Sequence, residues 1–147
     1  MRRFEGAQLA EALTNQLLKI EALIEAAVIQ AERDIPGRHR AFVTATQRLI
    51  GGADGLDPQR IAQELAILAM KSDATEEIDR LRAHLAAARA LLADHGPIGR
   101  KFEFLTQEFL REANTLCAKS ASTGLTAIGL DLKHVIDQMR EQIQNVE

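Results

Sequence analysis

From Gly6 to Pro36 the chain runs without an internal Gly or Pro. Along it Leu9, Leu13, Leu17, Ile20, Ile24, Ala27 and Ala31 recur in steps of three and four. That period is a single helical face, and it excludes a strand, which would alternate in steps of two. The spacing predicts one helix over Met1–Asp34, its narrow near-heptad stripe suited to a coiled-coil-like arm. Pro36-Gly37 is expected to end it, since Pro has no amide proton and Gly permits a turn.

The same period governs the rest. A short helix is expected over Arg38–Ile50, then a loop at Gly51–Gly55. Asp57-Pro58 reads as N-cap and first helical residue of a helix reaching about Lys71, with Ile61, Leu65, Leu68 and Met70 inward. Asp73-Ala74-Thr75-Glu76 reads as a capping box opening a helix that buries Ile78, Leu81, Leu85, Ala88 and Leu92 and stops before Gly96-Pro97. Gly96–Ser120 has an apolar face of Ile98, Phe102, Leu105, Phe109, Ala113 and Leu116. After a break at Ala121–Gly124, capped by Ser122 or Thr123, a last helix carries the seam Leu125, Ile128, Leu132, Val135, Met139, Gln142 and Val146, widened by Ile136 and Ile143. Gly124 at its start is expected to weaken it by about 0.5–1 kcal/mol relative to Ala. The expected fold is all-α, an elongated bundle of five or six helices including coiled-coil-like long ones. Residues 1–71 form a helical arm and hairpin, and residues 72–147 a C-terminal helical domain.

Composition narrows the functional classes. A net charge of −3 gives no global attraction to nucleic acid, so such a partner needs local basic patches. The most basic neighbourhood, Arg33, Arg38, His39, Arg40 and Arg48, reads first as a solvated hairpin end and second as a phosphate contact. There is no Trp and no Tyr, and the five Phe are expected in the core, leaving Arg planes for any base stacking. The single Cys117 cannot form an internal disulfide, which suits a reducing, cytoplasmic setting. No apolar run approaches a membrane span, so no membrane association is expected. GGADG lacks the Lys-Ser/Thr ending of a phosphate loop, and no Gly-rich dinucleotide loop calls for an organic cofactor.

The densest chemistry lies on the polar face of Gly96–Ser120. It carries Arg100, Glu103, Gln107, Glu108, Arg111, Glu112, Asn114, Thr115 and Lys119. Glu108 and Glu112 sit one turn apart, a like-charge spacing that needs compensation. Arg111 can supply it, or a divalent cation can, with Glu103 or Asp73 as a further oxygen ligand. Asp73, Glu108 and Glu112 are therefore the candidate metal ligands, for Mn²⁺ or Mg²⁺. His84 shares a helix flank with Glu77 and Arg80 and is a candidate acid/base, or a boundary histidine bonded to a neighbouring carboxylate. The candidate catalytic set is His84, Glu108, Arg111 and Glu112. Arg100, Lys101, Gln107, Asn114 and Lys119 are the candidate phosphate or RNA contacts.

The runs DATEEIDRLRAHL, GPIGRKFEFLTQEFLREANTLCAKS and LDLKHVIDQMREQIQNVE, in that order, resemble the C-terminal part of the YicC-like endoribonuclease family. The resemblance is specific over Asp73 to Glu147 and weaker from QELAILA back to MRRFEG. It implies a bacterial, divalent-metal-dependent endoribonuclease acting on RNA. It also implies a ring-like homo-oligomer, hexameric in full-length members. Members are about twice this length, so an N-terminal domain is expected to be absent here. The family pattern falls on Asp73, Glu76, Glu77, Arg80, His84, Gly99, Arg100, Gln107, Glu108, Arg111, Glu112, Asn114, Thr115, Lys119, Ser120, Lys133, Arg140 and Glu141. It is departed from at Leu110, where Asn is usual, at Glu103, where Asp is common, and at Ser122-Thr123-Gly124, where an acidic residue precedes an apolar one. The alternative to an enzyme is a helical oligomerisation and RNA-clamping module, suggested by the two narrow heptad seams.

Overall fold

The computed structural model describes residues 2–51, 57–94, 96–119 and 122–145. They form six helices and no strand: α1 (Arg2–Arg33), α2 (Ile35–Gly51), α3 (Pro58–Ser72), α4 (Thr75–Ala93), α5 (Gly99–Lys119) and α6 (Thr123–Gln144). None of these is long and apolar enough to cross a membrane. The expected loop at Gly51–Gly55 falls largely on 52–56, outside the described residues, as does Val146 of the last seam.

Four helices make the core. Around the bundle the neighbours run α1, α4, α5, α6 and back to α1. The α1 stripe Leu13, Leu17, Ile20, Ile24 and Ala27 is buried, as are Phe102, Phe109 and Leu116 of α5 and Leu132, Ile136 and Met139 of α6. Each fully buried Leu, Ile or Phe contributes about 1.5–3 kcal/mol. The two heptad seams thus close inside one chain, α1 covered by α4 and α6, and they do not by themselves demand a second subunit. α1 also shares its core with α4–α6 across the boundary drawn at residue 71. Arg82–Glu25 and Arg89–Glu21 ion pairs tie α4 to α1 in antiparallel register.

The remaining helices, α2 and α3, pack on each other as a hairpin. Neither contains a fully buried residue among those described. Ile61, Leu65 and Leu68 are half-buried, whereas Met70, expected inward, is 69% exposed because no bundle helix covers that side of α3.

Two local expectations are corrected. Pro36-Gly37 does not end the first helix: α2 already starts at Ile35, with only Asp34 between. Asp34 and Arg38 amides still reach back four residues, to the Gln30 and Asp34 carbonyls, both at 2.9 Å. Pro36 sits in the first turn of α2, where an amide has no helical partner to lose. The capping box at Asp73 also does not form. Asp73 instead accepts from the Thr75 amide (2.9 Å) and hydroxyl (2.6 Å), leaving Glu76 for Arg80. Gly124, in addition, lies against the amide end of Gln30, a flexible side chain that would have to shift to admit a Cβ 2.6 Å away. Gln30 holds Asp34 (2.9 Å), which accepts from Ser122 (2.5 Å), which in turn caps α6 through the Leu125 amide (3.2 Å).

Candidate functional site

α4 and α5 are antiparallel neighbours, and their facing flanks bring the ionisable side chains together. Glu77 opens α4 one residue before Ile78, so it falls on the buried face and is only 1% exposed. Glu112 lies three residues after Phe109 and four before Leu116, on the core side of α5, and is 5% exposed. Arg80 stands between them. Its Nη2 is 3.0 Å from Glu77 Oε1 and its Nε 2.9 Å from Glu112 Oε1, while Nη1 is 3.5 Å from Glu76. Lys119 Nζ, from the last turn of α5, reaches the same Glu77 oxygen at 2.8 Å. The bond to Glu112 is the largest of the influences holding the Arg80 guanidinium even further above its ordinary value, so it stays charged.

One turn deeper along α4, His84 meets the edge of Phe109 with ring centroids 5.8 Å apart and planes at 75°. His84 Nε2 and the second carboxylate oxygen of Glu77 are both buried without a hydrogen-bond partner among the described residues. Such atoms cost about 1–3 kcal/mol each when left unpaired. The bland expectation for His84, a histidine bonded to a neighbouring carboxylate, does not describe its Nε2.

The structure divides the sequence-predicted site residues. Glu112, His84 and Lys119 join Glu77 and Arg80 in the α4–α5 seam. Arg100, Lys101, Gln107, Arg111 and Asn114 line the exposed side of α5, and Glu108 is half-buried beside them. Glu112 is compensated across the helices by Arg80, not within α5 by Arg111. Asp73 lies apart, in a cleft of about 370 Å³ shared with Arg33, Arg38 and Arg40. The Thr75 hydrogen bonds hold the Asp73 carboxyl below the usual carboxylate range. Among the described residues no three His, Cys, Asp or Glu side chains converge on a possible metal position. The set Asp73, Glu108 and Glu112 therefore does not fit a shared ion within this chain, because Glu112 is already engaged by a guanidinium and Asp73 by Thr75. Glu77, which the sequence placed on one flank with His84 and Arg80 but outside the candidate site set, holds a central position in this seam. Its signal was its register: it shares the apolar flank with Ile78 and Leu81.

These features define an all-α bundle with a buried, charge-compensated seam between two antiparallel helices and a cationic outer face. The chain belongs to the YicC-like endoribonuclease family: the family model described as "Endoribonuclease YicC-like, C-terminal" matches residues 20–147. It is similar to the "Probable endoribonuclease YicC" of Haemophilus influenzae, with 46% identity over 101 residues, 69% of this chain and 35% of that protein. It is also similar to the protein of the same name from Clostridioides difficile, with 33% identity over 147 residues, all of this chain and 50% of that protein. The chain thus spans half or less of the length of these relatives.

Proposed function

We propose that this chain is the C-terminal part of an endoribonuclease that cleaves RNA phosphodiester bonds, with the α4–α5 seam as its reactive centre. The observation that carries this reading is the pair of buried, unpartnered polar atoms, Glu77 Oε2 and His84 Nε2, beside a guanidinium fixed between two carboxylates. Unpaired buried groups are uncommon in folded chains, and two of them sit together in this seam. An imidazole ring has one nitrogen that accepts a proton and one that donates it, so His84 is the group here suited to move a proton. Arg80 and Lys119 carry the positive charge that a phosphorane needs. With the RNA 2′-hydroxyl as nucleophile, its oxygen bonds to phosphorus as the P–O5′ bond breaks. His84 takes the hydroxyl proton while water protonates the leaving O5′, or it protonates the leaving O5′ while water takes the hydroxyl proton. The exposed row Arg100, Lys101, Gln107, Arg111 and Asn114 holds the RNA backbone. No step is assigned to a divalent ion, whose predicted ligands are not gathered here.

The test is labelled single-stranded RNA incubated with the chain, with and without EDTA and Mn²⁺, beside His84→Phe and Glu112→Ala. Cleavage by the native chain that survives EDTA and is lost in His84→Phe supports the mechanism. Loss in EDTA restored by Mn²⁺ retains the activity and replaces the metal-free step. Cleavage untouched by both substitutions overturns the site. A second reading, an oligomerisation and RNA-clamping module without chemistry of its own, is favoured by the hairpin, whose Ile50 (65%), Ile67 (46%) and Met70 (69%) stand exposed. RNA binding and self-association without cleavage select it.

A further inference from the structure

The five Phe were all expected in the core, and Phe104 is not there: it is 60% exposed, near the start of α5. It edges an open groove of about 510 Å³ between α4 and α5, floored by Ala87, Leu91 and Leu105 and flanked by Arg100 and Lys101. The walls are almost wholly apolar, and the polar character comes from the two cations at the rim. Neither cation has a carboxylate partner among the described residues. Both stand in the first turn of α5, which carries no acidic residue. Positive charge there opposes the helix macrodipole, which favours anions at an N-terminus. An exposed aromatic ring, an apolar floor and two unpaired cations that gain from an anion match one chemistry: a nucleotide, its base on the ring and its phosphate at the rim.

We propose that Phe104 is a base-stacking platform for single-stranded RNA, with Arg100 and Lys101 holding the phosphate of the stacked nucleotide. This deepens the RNA reading above and rests on it. The groove lies along α5 from the Arg80–Glu112 seam, so it positions the strand and takes no part in bond breaking. Phe104 is a positioning residue, and its loss acts on RNA affinity while leaving turnover at saturating RNA intact.

The chain contains no Trp and no Tyr, so Phe104→Trp creates a single fluorescent reporter at the platform. The reporter is titrated with an RNA oligonucleotide and with an abasic oligonucleotide of the same length and charge. Indole quenching by the first and not by the second is the expected result. In parallel, Phe104→Ala should weaken binding of the base-containing oligonucleotide by roughly 5- to 150-fold, the range for loss of one stacking partner, with little effect on the abasic one. Equal quenching by both oligonucleotides overturns stacking. An emission change that follows protein concentration without RNA, and does not respond to RNA, overturns it in favour of a second copy covering the groove. If RNA is cleaved while the reporter stays silent, the platform alone falls. If base-dependent quenching appears without cleavage, the platform stands and the nuclease reading falls. Failure of the native chain to bind RNA at all removes both.

Discussion

Replacing Glu77 with Ala probes the seam most directly. Glu77 is 1% exposed and accepts Lys119 at 2.8 Å and Arg80 at 3.0 Å on one oxygen. On truncation Arg80 keeps Glu112 and Glu76 and so loses little. Lys119, 25% exposed, loses the one carboxylate it pairs with among the described residues. A charge-assisted hydrogen bond contributes about 1.5–3 kcal/mol, and partial hydration of the freed ammonium puts this one at the lower end. The buried γ-methylene adds about 0.8 kcal/mol. Deleting the unpartnered Oε2 relieves about 1 kcal/mol of this, so the expected net cost is about 1–1.5 kcal/mol, a fall of roughly 2–6 °C in melting temperature for a chain of this size. Glu77→Gln keeps the methylene and an acceptor oxygen and should cost about half as much. Urea unfolding followed by far-ultraviolet circular dichroism measures both. A cycle of Glu77→Gln with Lys119→Met should show a coupling of at least about 0.5 kcal/mol. Additive single effects, or a Glu77→Ala cost below about 0.5 kcal/mol, would falsify the view that this carboxylate organises the seam.

Three further outcomes follow from other parts of the molecule. Gly129→Ala drives a methyl into the Cys117 sulfur where α5 and α6 approach closely; it should destabilise by about 1–3 kcal/mol, and Cys117→Ala should restore part of that in thermal melts. Asp73 has a depressed carboxyl, so its contribution to stability is present above its unfolded value, about pH 4, and is lost as pH falls through the lower folded value. Asp73→Asn should therefore lower the urea midpoint at neutral pH and match the native chain in strong acid; an equal deficit at both refutes the assignment. His84→Phe replaces an orphaned ring nitrogen by carbon against Phe109 and should hold stability within about 1 kcal/mol while removing cleavage. A melting temperature that collapses with it shows instead that the histidine is structural.

Much of the bundle is written in local periodicity. The Leu13–Ala27 stripe, the Phe102–Leu116 face and most of the last seam are buried as their spacing requires, with Ile128 half-buried and Gln142 exposed, because a 3.6-residue repeat fixes which side of a helix is apolar before any partner is chosen. Caps at Asp57 and Ser122 are equally local, each an oxygen accepting from an amide two or three residues on. The site was less legible. Glu112 reads as polar-face by residue type, yet its register is that of the core, and only Arg80 on another helix makes its burial tolerable. Phe104 reads as core by residue type and is exposed, because α4 covers the Leu105 side of α5 instead.

The amino-acid sequence by itself determined the helices, their inward faces and the family motifs along α4, α5 and α6, since all of these are contiguous in the chain. Only the tertiary structure decided which charges meet. Whether Glu112 pairs with Arg111 one residue away or with Arg80 across the seam depends on the axial register of two antiparallel helices. That register is set by how Phe102, Phe109 and Leu81 pack in the core, and no local spacing contains it.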